Sequence, residues 1–123
     1  QEIKIDGAII VSTPQEVALL DVKRGIKMFD KLGVKVLGLI DNMSFFTGDD
    51  GKKYKIFGEG GVKKTAIEFN KDFLGEIPIN PIVGETSDEG KPIVEKNPDH
   101  EISKIYIEFA KKIKLNFLIN TWV

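Results

Sequence analysis

The chain has 123 residues, 41% hydrophobic and 30% charged, with a formal net charge of -1, which suits one compact domain with its own core. Its charges are interspersed rather than blocked, so neither a basic nucleic-acid surface nor an acidic tail is indicated. The absence of cysteine removes disulfides and thiolate metal ligands from these residues, and the one histidine, His100, reads as a surface residue that cannot build a zinc site alone.

No apolar run approaches the ~20 residues needed to cross a bilayer, and no signal-peptide pattern opens the chain. The expectation is a cytoplasmic protein with neither membrane nor nucleic acid as partner. Gln1 in place of an initiating methionine reads as the start of a fragment or a trimmed chain.

In chain order, "GAIIVST", Gly7 to Thr13, is an unbroken apolar run, the pattern of a strand covered on both faces. Thr13-Pro14 ends it. Leu19, Val22, Ile26, Phe29 and Leu32 then recur at helical spacing between Pro14 and Gly33. Pro14 suits the first turn, Glu16 and Lys31 suit the opposite dipole ends, and Gly33 suits the stop. "VKVLGLID", Val34 to Asp41, is a second apolar strand, so a right-handed βαβ unit with parallel strands is predicted.

"SFF" and "KKYKIF" flank "TGDDG", whose Asp50-Gly51 is a hairpin signal. Tyr54 and Ile56 alternate with lysines there, the mark of a half-exposed hairpin. "GGVKKTAIEFN", Gly60 to Asn70, reads as a helix, and "FLGEIP", Phe73 to Pro78, as a third strand cut by proline. From Asn80 to Asp99 the chain is polar and carries Gly84, Gly90, Pro92 and Pro98, which reads as a loop with room for one short helix. A helix follows from Asp99, with Ile102, Ile105, Tyr106, Phe109 and Ile113 on one face. The apolar tail "NFLINTWV" reads as an extra strand or a packed extension, and the pattern leaves both open.

The fold class expected is α/β: part of a doubly wound parallel sheet with a small β-hairpin insertion, residues 1–123 forming one domain. In such sheets ligands bind at the carboxyl ends of strands. Those ends are Ser12-Thr13-Pro14, Asp41-Asn42-Met43 and Ile77-Pro78-Ile79.

"GEGGVKKT", Gly58 to Thr65, imitates a phosphate-binding loop. The pattern Gly-x-x-x-x-Gly-Lys-Ser/Thr needs glycine where backbone N–H groups curl round the phosphates. Here Lys63 stands at the second glycine position, and the preceding "KKYKIF" is amphipathic rather than apolar throughout. The segment reads as a glycine-rich helix entry.

The blocks "DGAIIVSTPQEVALLDVKRGIKMF", "VLGLIDNMSFF", "IFGEGG", "FLGEIPINP" and "SDEGKPIV", in that order and spacing, resemble the C-terminal half of Mrp/ApbC-type ATPases. These are P-loop proteins of the MinD/ParA-like group, regarded as iron–sulfur cluster carriers, and the resemblance runs from about Asp6 to Ile113. It implies a homodimer or larger assembly acting in iron–sulfur cluster assembly or transfer, with ATP and Mg²⁺ as cofactors and apo iron–sulfur proteins as partners. In the family a deviant Walker A loop and the metal-binding aspartates lie upstream of the segment matching Asp6. This chain would therefore supply the adenine side of the nucleotide site and be inactive alone, with no catalytic and no metal-binding residue of its own.

By that resemblance Asn42 matches the asparagine that contacts adenine, and Pro78, Ile79 and Asn80 flank the base on its other side. A carboxamide can donate to and accept from an adenine edge at once. The alternative for Asn42 is a cap or turn residue at a strand end. Ser12, Thr13 and Gln15 fall near the family's γ-phosphate and partner subunit, or else cap the following helix. Ser87 to Lys91 reads either as a cover over the nucleotide or as a surface loop.

Many family members carry Cys-x-x-Cys after the "NMS" block. Here Thr47-Gly48-Asp49-Asp50-Gly51 offers no thiolate, and carboxylates do not replace sulfur on cluster iron. Either other ligands serve, or no iron–sulfur cluster passes through this hairpin. Two further functions stay open: a non-catalytic α/β scaffold or interaction module, and a ParA/MinD-like positioning ATPase.

Overall fold

The computed structural model describes the backbone of residues 5–122 and the side chains of residues 5–115. In chain order its elements are β1 (Ala8–Ser12), α1 (Glu16–Leu32), β2 (Val36–Asn42), β3 (Phe46–Thr47), β4 (Lys53–Tyr54), α2 (Gly61–Glu68), β5 (Phe73–Ile77), α3 (Pro81–Asp88), α4 (Ile93–Lys96) and α5 (Glu101–Trp122). β1, β2 and β5 form a parallel sheet with β2 at its centre, while β3 and β4 form a separate antiparallel hairpin. This is the mixed α/β architecture that the alternation of apolar runs and helical stripes predicts.

Successive residues of a strand point to opposite faces, and β2 uses both. Leu39 packs with Val22 and Ile26 of α1 and with Val62 and Ala66 of α2. Ile40 packs with Leu74, Ile77 and Phe109 of α5. The unbroken apolar run of β2 is thus explained by helices over each face, and all its residues but Asn42 are buried. α1 stops where Gly33 turns left-handed, its N–H reaching the carbonyls of Asp30 and Phe29.

Four expectations need correction. β1 is not covered on both faces: Ile10 packs toward α1 and α2, while Ile9 is 38% and Val11 56% exposed on the opposite face, where α5 lies over β5 instead. The stretch from Asn80 to Asp99 is not a loop with one short helix but two helices, α3 and α4. Asn80 starts α3 by accepting from Ile82 N at 3.0 Å, with Pro81 in the first turn where its missing N–H costs nothing.

The tail is not a strand: the backbone of α5 continues through it to Trp122, while the packing of its side chains, and Val123, lie outside the described residues. No glycine or proline follows Pro98, so nothing in the sequence stops the helix. His100 is more than a surface residue: its Nδ1 accepts from Ile102 N at 3.1 Å at the start of α5. Ser103, fully buried, donates to the carbonyl of Asn97 at 2.6 Å and ties α4 to α5.

Candidate functional site at the strand tips

The ladder register sets the three carboxyl tips side by side, with Ser12 opposite Asp41 and Asn42 opposite Ile77. Beyond Asn42 the chain reverses sharply. Met43 is left-handed, with φ 55°, an uncommon state for a residue with a side chain. Two backbone bonds hold the turn: Ser44 N donates to Ile77 O at 3.0 Å, and Ile79 N to Phe45 O at 2.8 Å. The β2 and β5 tips are thereby stitched together past the end of the sheet.

A groove of about 440 Å³ lies between the hairpin and the β5 tip, with Phe45, Phe46 and Lys53 on one wall. Pro78, Ile79 and Asn80 line the other, so three of the four residues expected at a base site come together. Asn42 stands on the neighbouring tip, half-buried, outside this lining. Asn80 spends its Oδ1 on the α3 cap, which leaves its amide N–H groups as donors. Lys53 Nζ lies 4.5 Å from the centre of the Phe45 ring, a cation over an aromatic face. Glu101 and Ile105 of α5 complete the lining, so aromatic and apolar surface alternates with the polar Thr47, Asn80, Lys53 and Glu101, a mix that suits a planar ligand with hydrogen-bonding edges.

Beside the groove sits a cluster that the sequence did not single out. Asp41 is 1% exposed, its Oδ1 has no hydrogen-bond partner among the described residues, and its Oδ2 accepts from Ser44 Oγ at 3.4 Å. Glu76 lies opposite it on the ladder, and Lys55 Nζ reaches Glu76 Oε1 at 3.4 Å. Burial, reinforced by Glu76, pushes the Asp41 carboxyl up from 3.8 to about 6, against the opposing pull of Ser44 and Lys55. The signal was an aspartate closing an apolar strand, which sequence reading used only as a stop.

Gly58 and Gly61 of the glycine-rich segment serve close packing. A Cβ on Gly58 would lie 3.0 Å from Pro14 O, and one on Gly61 would lie 2.5 Å from Leu19 Cδ1. These glycines let the loop press against the β1–α1 turn. Thr65 Oγ1 donates to Gly61 O at 2.9 Å and is 3% exposed, so its hydroxyl is taken.

Helix capping by Ser12, Thr13 or Gln15 is overturned too, since Gln15 occupies the N-cap without a side-chain bond. Thr13 Oγ1 donates to Gln15 Oε1 at 3.2 Å, and Ser12 Oγ to Thr13 O at 2.8 Å. At the hairpin tip the Tyr54 hydroxyl donates to Asp50, which lowers the carboxyl and raises the phenol.

Among the described residues, no group of three or more His, Asp or Glu side chains could hold a metal ion, and no helix is long and apolar enough to cross a membrane.

The model of the ParA family described as NUBPL iron-transfer P-loop NTPase matches residues 1–114. The chain is 46% identical over 112 residues to the iron-sulfur cluster carrier protein of Aquifex aeolicus, covering 90% of this chain and 31% of that protein. It superimposes on the nucleotide-binding protein of Archaeoglobus fulgidus solved in complex with ADP, with a TM-score of 0.64 and 36% identity over 76% of this chain and 39% of that one. The cell division ATPase MinD of Pyrococcus furiosus shares the fold at a TM-score of 0.67 and 22% identity, over 89% of this chain and 42% of that one. The chain spans about a third of the length of the curated relatives it matches.

Proposed function

The chain belongs to the ParA family of NUBPL-type iron-transfer P-loop NTPases, and from that membership we propose that it forms the purine-facing side of an ATP site. The observation that carries this is the groove at the strand tips, where Pro78, Ile79 and Asn80 face Phe45 and Phe46 beside the Asn42 tip. The residues present fit an adenine: apolar walls for its faces, and carboxamides of Asn42 and Asn80 for its edge. They do not fit the triphosphate, because the glycine-rich loop packs against Pro14 and Leu19 and the cavity of about 660 Å³ beside it carries three carboxylates, Glu16, Glu59 and Glu68, which oppose a phosphate. The phosphate grip and the Mg²⁺ ligands then belong to residues outside these 123.

The whole protein, in this reading, binds and hydrolyses ATP by positioning and electrostatic stabilisation around Mg²⁺. It works in the cytoplasm as a homodimer or larger species, in assembly or transfer of iron–sulfur clusters to apo iron–sulfur proteins. A relative 36% identical being held with ADP, and the carrier names of the curated relatives, support this. A cluster is cargo in this scheme. With no cysteine in the chain, thiolates for it come from elsewhere in the protein or its partners, or other ligands serve.

The test is Asn42→Ala in a protein that also carries the family's phosphate-binding portion. ATP binding should weaken by about 1–3 kcal/mol through lost base contacts, and the preference for ATP over GTP should shrink. Unchanged affinity and preference would remove Asn42 from the site. The 123-residue chain alone should release phosphate from ATP no faster than buffer does.

A further inference from the structure

Asp41 is a buried carboxyl group that base binding leaves unused. An ionised carboxylate only accepts, and it is costly to bury without several donors. Among the described residues this one has a single long bond, 3.4 Å, from Ser44, and an Oδ1 with none. The charged groups that reach it are Glu76 of β5 and Lys55, just after β4. From β1 it faces Ser12, its uncharged ladder partner. α1 and α2 bring Val22, Ile26, Val62, Thr65 and Ala66 against the sheet, none of them ionisable. A neutral Asp41 escapes the repulsion of Glu76 and the cost of a buried charge, which together outweigh the pull of the Ser44 hydroxyl toward the ionised form. An ionised one must be uncovered to water or draw Lys55 away from Glu76.

The turn that Asp41 holds is the one that carries Asn42. Ser44, itself 1% exposed, is fixed by its hydroxyl to Asp41 and by its amide to Ile77. Left-handed Met43 lies between Ser44 and Asn42. Phe45, the groove wall, follows directly. Any movement that rehydrates Asp41 therefore passes through Ser44 to the groove.

We propose that Asp41 and Ser44 form a proton-operated latch on the Asn42–Phe45 turn, closed when the carboxyl is neutral and loosened when it ionises, so that base affinity depends on pH. Asp41 is thus a positioning residue. The link to affinity rests on the base-binding reading above; the latch itself does not.

The test is an NMR titration of the ligand-free protein from about pH 4.5 to 8, across the range in which this linkage operates. It follows the Asp41 carboxyl carbon, the Ser44 amide and the Asn42 side-chain amide. Adenosine is the probe for binding, since its own ionisations fall outside that range. All three signals should move on one curve with a midpoint of about 6. Glu76→Gln should lower that midpoint, Ser44→Ala should raise it, and Asp41→Asn should abolish the curve. Adenosine should bind roughly threefold tighter or more at the acid end, following the same curve.

The latch is overturned if Asp41 titrates in the ordinary carboxylate range, if Ser44 and Asn42 do not follow it, or if neither the Glu76 nor the Ser44 variant moves the midpoint. That last comparison needs no Asp41 variant to fold. Adenosine binding with an affinity flat in pH also overturns the latch and leaves the base reading standing. Failure of adenosine to bind at every pH, with the signals titrating together, supports the latch and removes the base reading.

Discussion

At the level of single residues, strand β2 carries two costs that sequence alone could not weigh. One is Asp41. Its folded-state carboxyl lies at about 6, above the 3.8 of an exposed aspartate. The stability it allows is therefore fully present below about 3.8 and is lost as pH rises through about 6. Asp41→Asn removes that loss. Urea denaturation should show the variant gaining up to roughly 3 kcal/mol over the parent at neutral pH, and little in acid; an equal gain at both would refute a buried charge. The other cost is at Gly38, where an added Cβ would lie 2.5 Å from Leu74 Cγ, with Leu74 only 3% exposed. Gly38→Ala should destabilise by about 1–3 kcal/mol through overpacking, and an unchanged denaturation midpoint would show that Leu74 moves aside. A glycine inside an apolar strand signals a close approach. The sequence shows that one exists but not which side chain makes it.

At the level of elements, periodicity was legible and punctuation was not. β1, α1, β2 and β5 stand where apolar runs and helical stripes place them. The segment after β5 was harder, because Gly84 and Gly90 look like breakers. Asn80-Pro81 in fact writes a helix start, and Gly84 meets no crowding inside α3. The tail misled for the opposite reason: its apolar composition left a strand open, whereas the absence of any stop residue let α5 run on.

Asn80 also separates structure from binding. Asn80→Ala should cost about 1 kcal/mol as the cap is lost. Asn80→Asp keeps the accepting oxygen while deleting the amide donors, so its stability should match the parent. If Asn80 touches the base, ATP titration of the longer protein should weaken with both variants; full affinity in Asn80→Asp would assign Asn80 to capping alone. None of this could be read from spacing, since the groove exists only once the Met43 turn brings Phe45 against the β5 tip.

At the level of the whole molecule, the exposed flank of β1 is the feature that asks for a neighbour. Ile9 and Val11 lie on an edge strand whose backbone groups are open to pairing. Sequence read this strand as covered on both faces, whereas only the Ile10 face is packed; a strand paired beside it would satisfy its backbone, and a layer over it would cover Ile9 and Val11. The curated relatives are long enough to supply one, since the chain covers only 31% of the Aquifex carrier. As it stands, the chain should associate through this edge. Light scattering should find a dimer or larger species that Val11→Lys shifts toward monomer, and a clean monomer of the parent at high concentration would contradict this.

The central claim is that these residues hold the purine while the triphosphate is gripped from elsewhere. A crystal structure of the protein with ATP, including its phosphate-binding portion, tests it most directly. The adenine edge should lie within hydrogen-bonding distance of Asn42, its ring flanked by Pro78, Ile79 and Asn80. Adenine bound away from the β2 and β5 tips, or phosphates seated in Gly58 to Gly61, would contradict it.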